Sequence, residues 1–202
     1  MLSLFAAAAA SFTVPSATAP PNAFNLLRGI DVLRATDGVA VPLTEQWATD
    51  ERAVLELGAQ LARDVLPVLR GGKPPAKLVA VGIGTAERGR EYCEHVGLPA
   101  ETLLCDPENA AYDALGLKKG VATTFFTVDT PFAILDRARK DGAADLIDAT
   151  KRWKPWLPPK NDQGLQQGGA FVFEGPDLLF SHFDPSTGAH AKLDDLLEAA
   201  AR

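Results

Sequence analysis

The run Lys77–Gly84, reading Lys-Leu-Val-Ala-Val-Gly-Ile-Gly, constrains the fold more than any other part of the sequence. A strand with water on one face alternates apolar and polar residues. This run does not alternate, so it reads as a strand buried on both faces in the middle of a parallel sheet. A helical pattern stands on either side of it. The chain is therefore α/β, and any chemistry belongs at the strand's C-terminal end.

The chain is long enough, at 202 residues, for one domain with a sizeable core, and 47% of it is apolar. Twenty Lys and Arg against 26 Asp and Glu leave a net charge of -6. That argues against nucleic acid or an anionic membrane as partner, since both reward a basic surface. Two cysteines, Cys93 and Cys105, make no disulfide framework. No apolar run is long enough to span a bilayer.

Residues 1–27 differ from the rest. Met1–Phe24 holds no charged side chain, and an apolar block at Leu2–Ala10 precedes Ala10-Ser-Phe-Thr-Val-Pro15 and a Pro/Ala/Thr-rich stretch. This pattern is expected of a targeting peptide and resembles the Phe-containing junction of plastid presequences; the alternative is a low-complexity, disordered N-terminus. The domain is expected over 28–202.

Asp37–Leu43 suits an edge strand, because Pro42 forbids a central position. Val54, Leu57, Leu61, Val65 and Val68 fall on one stripe, which predicts a helix over Glu51–Leu69 capped by Asp50 and ended or kinked by Pro67. Gly71–Pro75 is a loop. Thr85 caps a helix running to Val96 and closed by Gly97 and Pro99. Glu101–Cys105 is a short strand, and Asp106-Pro107 opens a helix that ends at Gly116. Thr130–Pro159, with Trp153 and Trp156, reads as an insertion. Gly168–Glu174 and Leu178–Asp184 form a hairpin around Gly175-Pro176-Asp177, and Ala191–Ala201 is the closing helix. A βαβ half followed by a ββα half fits a thioredoxin-like α/β/α sandwich with a mixed central sheet.

Several chemistries find no support. Gly82-Ile83-Gly84 lacks the third glycine of a dinucleotide fingerprint, where Glu87 stands. Ser181 and His182 are neighbours on a strand and face opposite ways, and no Gly-x-Ser-x-Gly elbow occurs. The cysteines and His95 are too few and wrongly spaced for zinc, so no metal and no cofactor are expected. Lys151–Trp156 mixes basic and aromatic residues but is short, and reads as a lid or packing segment. Cys93 falls on the packed face of its helix, as a buried, inert thiol does. Cys105 ends a strand just before a helix start, where backbone amides favour a thiolate and Asp106 opposes it.

Taken together, Lys77–Gly84, Asp106-Pro107-Glu108 with Ala111–Leu117, Leu165-Gln-Gln-Gly-Gly-Ala-Phe-Val-Phe173 and Asp184 with Thr187-Gly-Ala-His190 resemble the AhpC/TSA-type peroxiredoxin-like family. The resemblance runs from about Arg28 to the C-terminus and suits the plastid-type members. It implies a thioredoxin-like fold and thiol-dependent reduction of peroxides or disulfides, an antioxidant role. The partners it implies are a thiol reductant and a peroxide. In the family a Cys-x-x-Cys pair sits at the start of the first long helix, after a central strand. Helix-terminal amides there lower the first thiol's pKa, and the second cysteine resolves its oxidised form.

Here that strand, turn and cysteine pair would lie between Val54 and Glu56, and they are absent. No residue matches the family's catalytic cysteines; Cys105 and Cys93 are the only thiol candidates. The sheet is accordingly expected to be one central strand short, as a transcript lacking an exon would leave it. Gln166, Gln167, Gly168 and Gly169 are expected, by resemblance, to line the cleft. Two functions compete: a redox-family protein inactive or impaired in this form, and a non-catalytic thioredoxin-like binding module. The sequence carries no sign of an oligomeric state.

Overall fold

The computed structural model describes residues 22–57, 62–71, 75–118, 160, 163, 166–185 and 190–201. Residues 1–21 of the expected targeting region 1–27, and the insertion with Trp153 and Trp156, lie outside these residues.

The elements are α1 (Ala23–Leu27), β1 (Asp31–Arg34), β2 (Ala40–Pro42), β3 (Arg52–Leu57), α2 (Ala62–Gly71), β4 (Lys77–Gly82), α3 (Ala86–Val96), β5 (Leu103–Cys105), α4 (Ala110–Ala114), β6 (Gly169–Glu174), β7 (Asp177–Phe183) and α5 (Leu193–Ala201). They build one mixed sheet in the order β2-β1-β5-β4-β3-β6-β7. β3 runs parallel to β4, which runs parallel to β5. β6 pairs antiparallel with β3, and β7 with β6. This is a thioredoxin-like arrangement, with a β1–β2 hairpin added beyond β5.

Two expectations about the centre of the sheet are corrected. Arg52–Leu57 is not the first part of a helix; it is a strand, buried at all six positions. It lies between β4 and β6, pairing Val54 with Leu78 and with Val172, so the sheet has no central gap. A sheet open there would leave two rows of amides and carbonyls without partners in the interior. Arg-Ala-Val-Leu-Glu-Leu satisfies both rows, and that demand outweighs the helical spacing of its apolar residues. The helix itself begins later, at Ala62, and passes through Pro67 to Gly71 instead of stopping there. Val65, Leu66 and Leu69 face the core, whereas Val68 is 47% exposed.

β3 alternates across the sheet. Leu55 and Leu57 join Val79, Val81, Phe171 and Phe173 on the face covered by α1 and α4. Val54 joins Ala80, Val172 and Leu103 on the face covered by α2, α3 and α5. Each fully buried large apolar side chain contributes about 1.5–3 kcal/mol by leaving water. Upstream of Arg28, α1 supplies Ala23 and Leu27 to the first layer, and Phe24 packs edge-on against Trp47 and Phe173. Trp47 satisfies its buried indole by donating to the Gly175 carbonyl at 2.8 Å.

α3 follows its sequence signals. The Thr85 hydroxyl accepts from the Arg88 N–H, and Gly97 closes the helix at φ 72°. α4 starts three residues later than Pro107–Glu108 suggest, behind Asn109 at φ 63°. Asp106 still serves it: its buried carboxylate accepts from the amides of Ala110 and Ala111 at 3.1 and 2.9 Å. Among the described residues no helix is long and apolar enough to cross a membrane.

Candidate functional site

A cavity of about 190 Å³ opens where β3 and β4 end and β6 begins. β3 brings Glu56 and Leu57, and Ile83 follows β4. Tyr112 of α4 closes one side, its hydroxyl donating to the Val81 carbonyl at 2.7 Å. Gln166, Gly168, Gly169 and Ala170 form the next wall, and Asp184, His190 and Ala191 complete it.

Glycine is required at the start of β6. A Cβ at Gly168 would collide with the Leu57 carbonyl and stand 3.0 Å from Asp184 Oδ2. One at Gly169 would stand 2.7 Å from the His182 carbonyl. Two strands and the end of β7 thus meet backbone to backbone beside the cavity. The Gln166 amide ties this wall to the end of α4, donating to the carbonyls of Leu117 and Lys118 at 3.2 and 3.0 Å. Gln167 is buried, and its N–H donates to the Lys118 carbonyl at 2.8 Å; it is not part of the cavity lining.

Asp184 is the best-anchored charged group of the site. Its N–H donates to the Gly168 carbonyl at 3.0 Å. Its carboxylate lies 2.9 Å from His190 Nδ1 and 3.4 Å from His182 Nε2, with only 8% of the side chain exposed. Burial works to raise its pKa, but hydrogen bonds from the two imidazoles and their charge outweigh this and hold the group below the usual aspartate value. The carboxylate is therefore ionised at neutral pH.

Both cysteines lie away from this cavity. Cys93 in α3 and Cys105 in β5 are buried in the layer between the sheet and α3. Gly89 sits directly over Cys105, where a Cβ would strike the sulfur. Burial pushes the Cys93 thiol up to about 11, with the charges of Glu101 and Glu94 adding to it. Burial likewise raises Cys105 to about 11, helped by its nearness to Cys93 and opposed by Arg90. The helix-start amides expected to favour a Cys105 thiolate are instead taken up by the Asp106 carboxylate. The residues that follow β3 read Gly58-Ala59-Gln60-Leu61 and contain no thiol. Among the described residues no cluster of His, Cys, Asp and Glu could hold a metal ion.

Sequence reasoning did not single out Glu56, or the meeting of Asp184 with His190. The signal for the latter was the Asp184-Pro-Ser-Thr-Gly-Ala-His190 phrase, whose two polar ends stand six residues apart.

The fold and the cleft define a thioredoxin-like α/β protein whose site, like that of other open sheets, lies at the C-terminal ends of its parallel strands. The model of a family described as AhpC/TSA antioxidant enzyme matches residues 60–186, and the chain belongs to that family. The match opens at Gln60, just past the end of β3. The crystal structure of a peroxiredoxin-like protein from Aquifex aeolicus is similar to this chain at 11% identity and a TM-score of 0.43, covering 92% of this chain and 84% of that one. No curated protein matches the sequence.

Proposed function

We propose that this chain is an AhpC/TSA-family protein without thiol-peroxidase turnover in the form given by its sequence. One observation carries this reading: the two thiols are sealed in an apolar layer, with pKa values raised to about 11, while the cleft at the end of β3 holds no sulfur among the described residues. The thiolate is the nucleophile toward a peroxide, and burial suppresses it, outweighing Arg90 beside Cys105. The uncharged Met1–Phe24 stretch supports delivery to a plastid, which a fluorescent fusion of residues 1–27 would report.

Peroxide consumption with a dithiol reductant tests the reading on the full chain and on Cys93→Ser and Cys105→Ser. No rate above that of the reductant alone is expected in any of the three. Turnover in the parent chain that disappears in either variant would overturn it.

A second reading, a binding module, is favoured by the cavity itself. It is closed on several sides, pairs apolar walls with Asp184, His190 and Glu56, and needs no thiol to hold a ligand.

A further inference from the structure

The Asp184–His190 pair fixes the proton of an imidazole that lines the cavity. Asp184 is locked by the Gly168 carbonyl behind it and by His182 on its other oxygen. An ionised carboxylate only accepts hydrogen bonds, so the Nδ1 that meets it at 2.9 Å must carry the hydrogen. In neutral His190 the lone pair is then on Nε2, and no described residue hydrogen-bonds to that atom.

The rest of the wall limits what could meet Nε2. Leu57, Ile83, Ala170 and Ala191 supply apolar surface, and none of the described lining residues is a Lys or Arg that could receive an anion. A cavity of about 150 Å³ takes a benzene molecule, and this one is about 190 Å³. We propose that the cavity is a binding site for a compact, part-apolar molecule or side-chain end bearing one weakly acidic O–H or S–H group, with His190 Nε2 as the acceptor and Asp184 as its positioning residue. This deepens the binding-module reading and does not depend on the absence of peroxidase turnover.

The test uses the ¹⁵N-labelled full chain, long-range proton–nitrogen correlation of the histidine rings near pH 7.5, and two probes. Phenol carries the acidic O–H; anisole has the same ring without it. His190, assigned by its disappearance in His190→Gln, is expected as the Nδ1–H tautomer. Phenol should shift its Nε2 resonance saturably and bind at least tenfold more tightly than anisole. Asp184→Asn should weaken that tautomer preference and erase most of the phenol advantage, and His190→Gln should erase it with anisole binding unchanged. A small aliphatic thiol in place of phenol shows whether S–H is taken as well as O–H. An Nε2–H tautomer in the parent chain, equal binding of phenol and anisole, or no saturable shift with either probe would each overturn the proposal, and none of these outcomes bears on the peroxide assay.

Discussion

The Leu57 carbonyl, at the end of the central strand, lies so close against Gly168 that no side chain fits between them. This contact joins β3 to the start of β6 at the wall of the cavity. Because the obstruction is backbone, no rotamer change can relieve it. Gly168→Ala should therefore part the two strands locally and lower stability by about 1–3 kcal/mol, the usual range for overpacking. Urea unfolding would show this as a lower midpoint at unchanged slope. A midpoint equal to that of the parent would show that the strands do not meet this closely.

A second close approach lies on the opposite layer, between Gly89 of α3 and the Cys105 sulfur of β5. Gly89→Ala should destabilise by a similar amount, about 1–3 kcal/mol, by pushing the helix off the sheet. Here the obstruction is a side chain, so shortening it should help. The double variant Gly89→Ala, Cys105→Ala is expected to be more stable than Gly89→Ala alone, and a double-mutant cycle measures the coupling.

These two glycines also mark what the sequence displays and what it hides. β4, α3, the β6–β7 hairpin and α5 are legible because each carries a local signal: an unbroken apolar run, the Thr85 and Gly97 caps, the Gly175-Pro176 turn and the Leu196/Ala200 stripe. β3 is not legible. Its six residues are too short for periodicity to decide, and Val54 and Leu57 extend the true stripe of α2 backwards. Glu56 would fall on the polar side of such a helix, yet it is buried, as is Arg52, which donates to Glu174 at 2.8 Å. Strand pairing with β4 and β6 settles the matter, and pairing is a property of distant residues. The same holds for the cleft. Gly168 and Gly169 stand out as a pair, but the need for them appears only when Leu57 and His182 arrive from other strands. Asn109 shows a smaller version: its left-handed turn postpones α4 past a proline that would otherwise open it.

The Asp184 carboxylate gives a pH dependence with a definite sign. Its pKa in the folded chain lies below the ordinary value of 3.8, because hydrogen bonds and charge from His182 and His190 exceed the cost of burial. The stability it contributes is complete above that ordinary value and is lost as pH falls through the lower, folded value. Asp184→Asn should cost about 1–3 kcal/mol at pH 7. Its stability should also fall less steeply than the parent's in urea titrations between pH 5 and 2. Parallel curves would show that the carboxylate gains nothing from its histidines.

Thiol chemistry in this chain requires that Cys93 or Cys105 be able to react. With pKa values near 11 against the ordinary 9.0, folding alone lowers the thiolate fraction at pH 8 by roughly a hundredfold. The raised values also mean that this contribution to stability is present below pH 9 and lost as pH rises toward 11. The direct measurement is the rate of iodoacetamide alkylation at Cys93 and Cys105, followed by mass spectrometry in the native and the urea-unfolded chain. Both sites should be alkylated at least a hundredfold more slowly in the native chain at pH 8. Alkylation of either native thiol at the unfolded rate or faster would contradict the account and return this chain to the active thiol enzymes of its family.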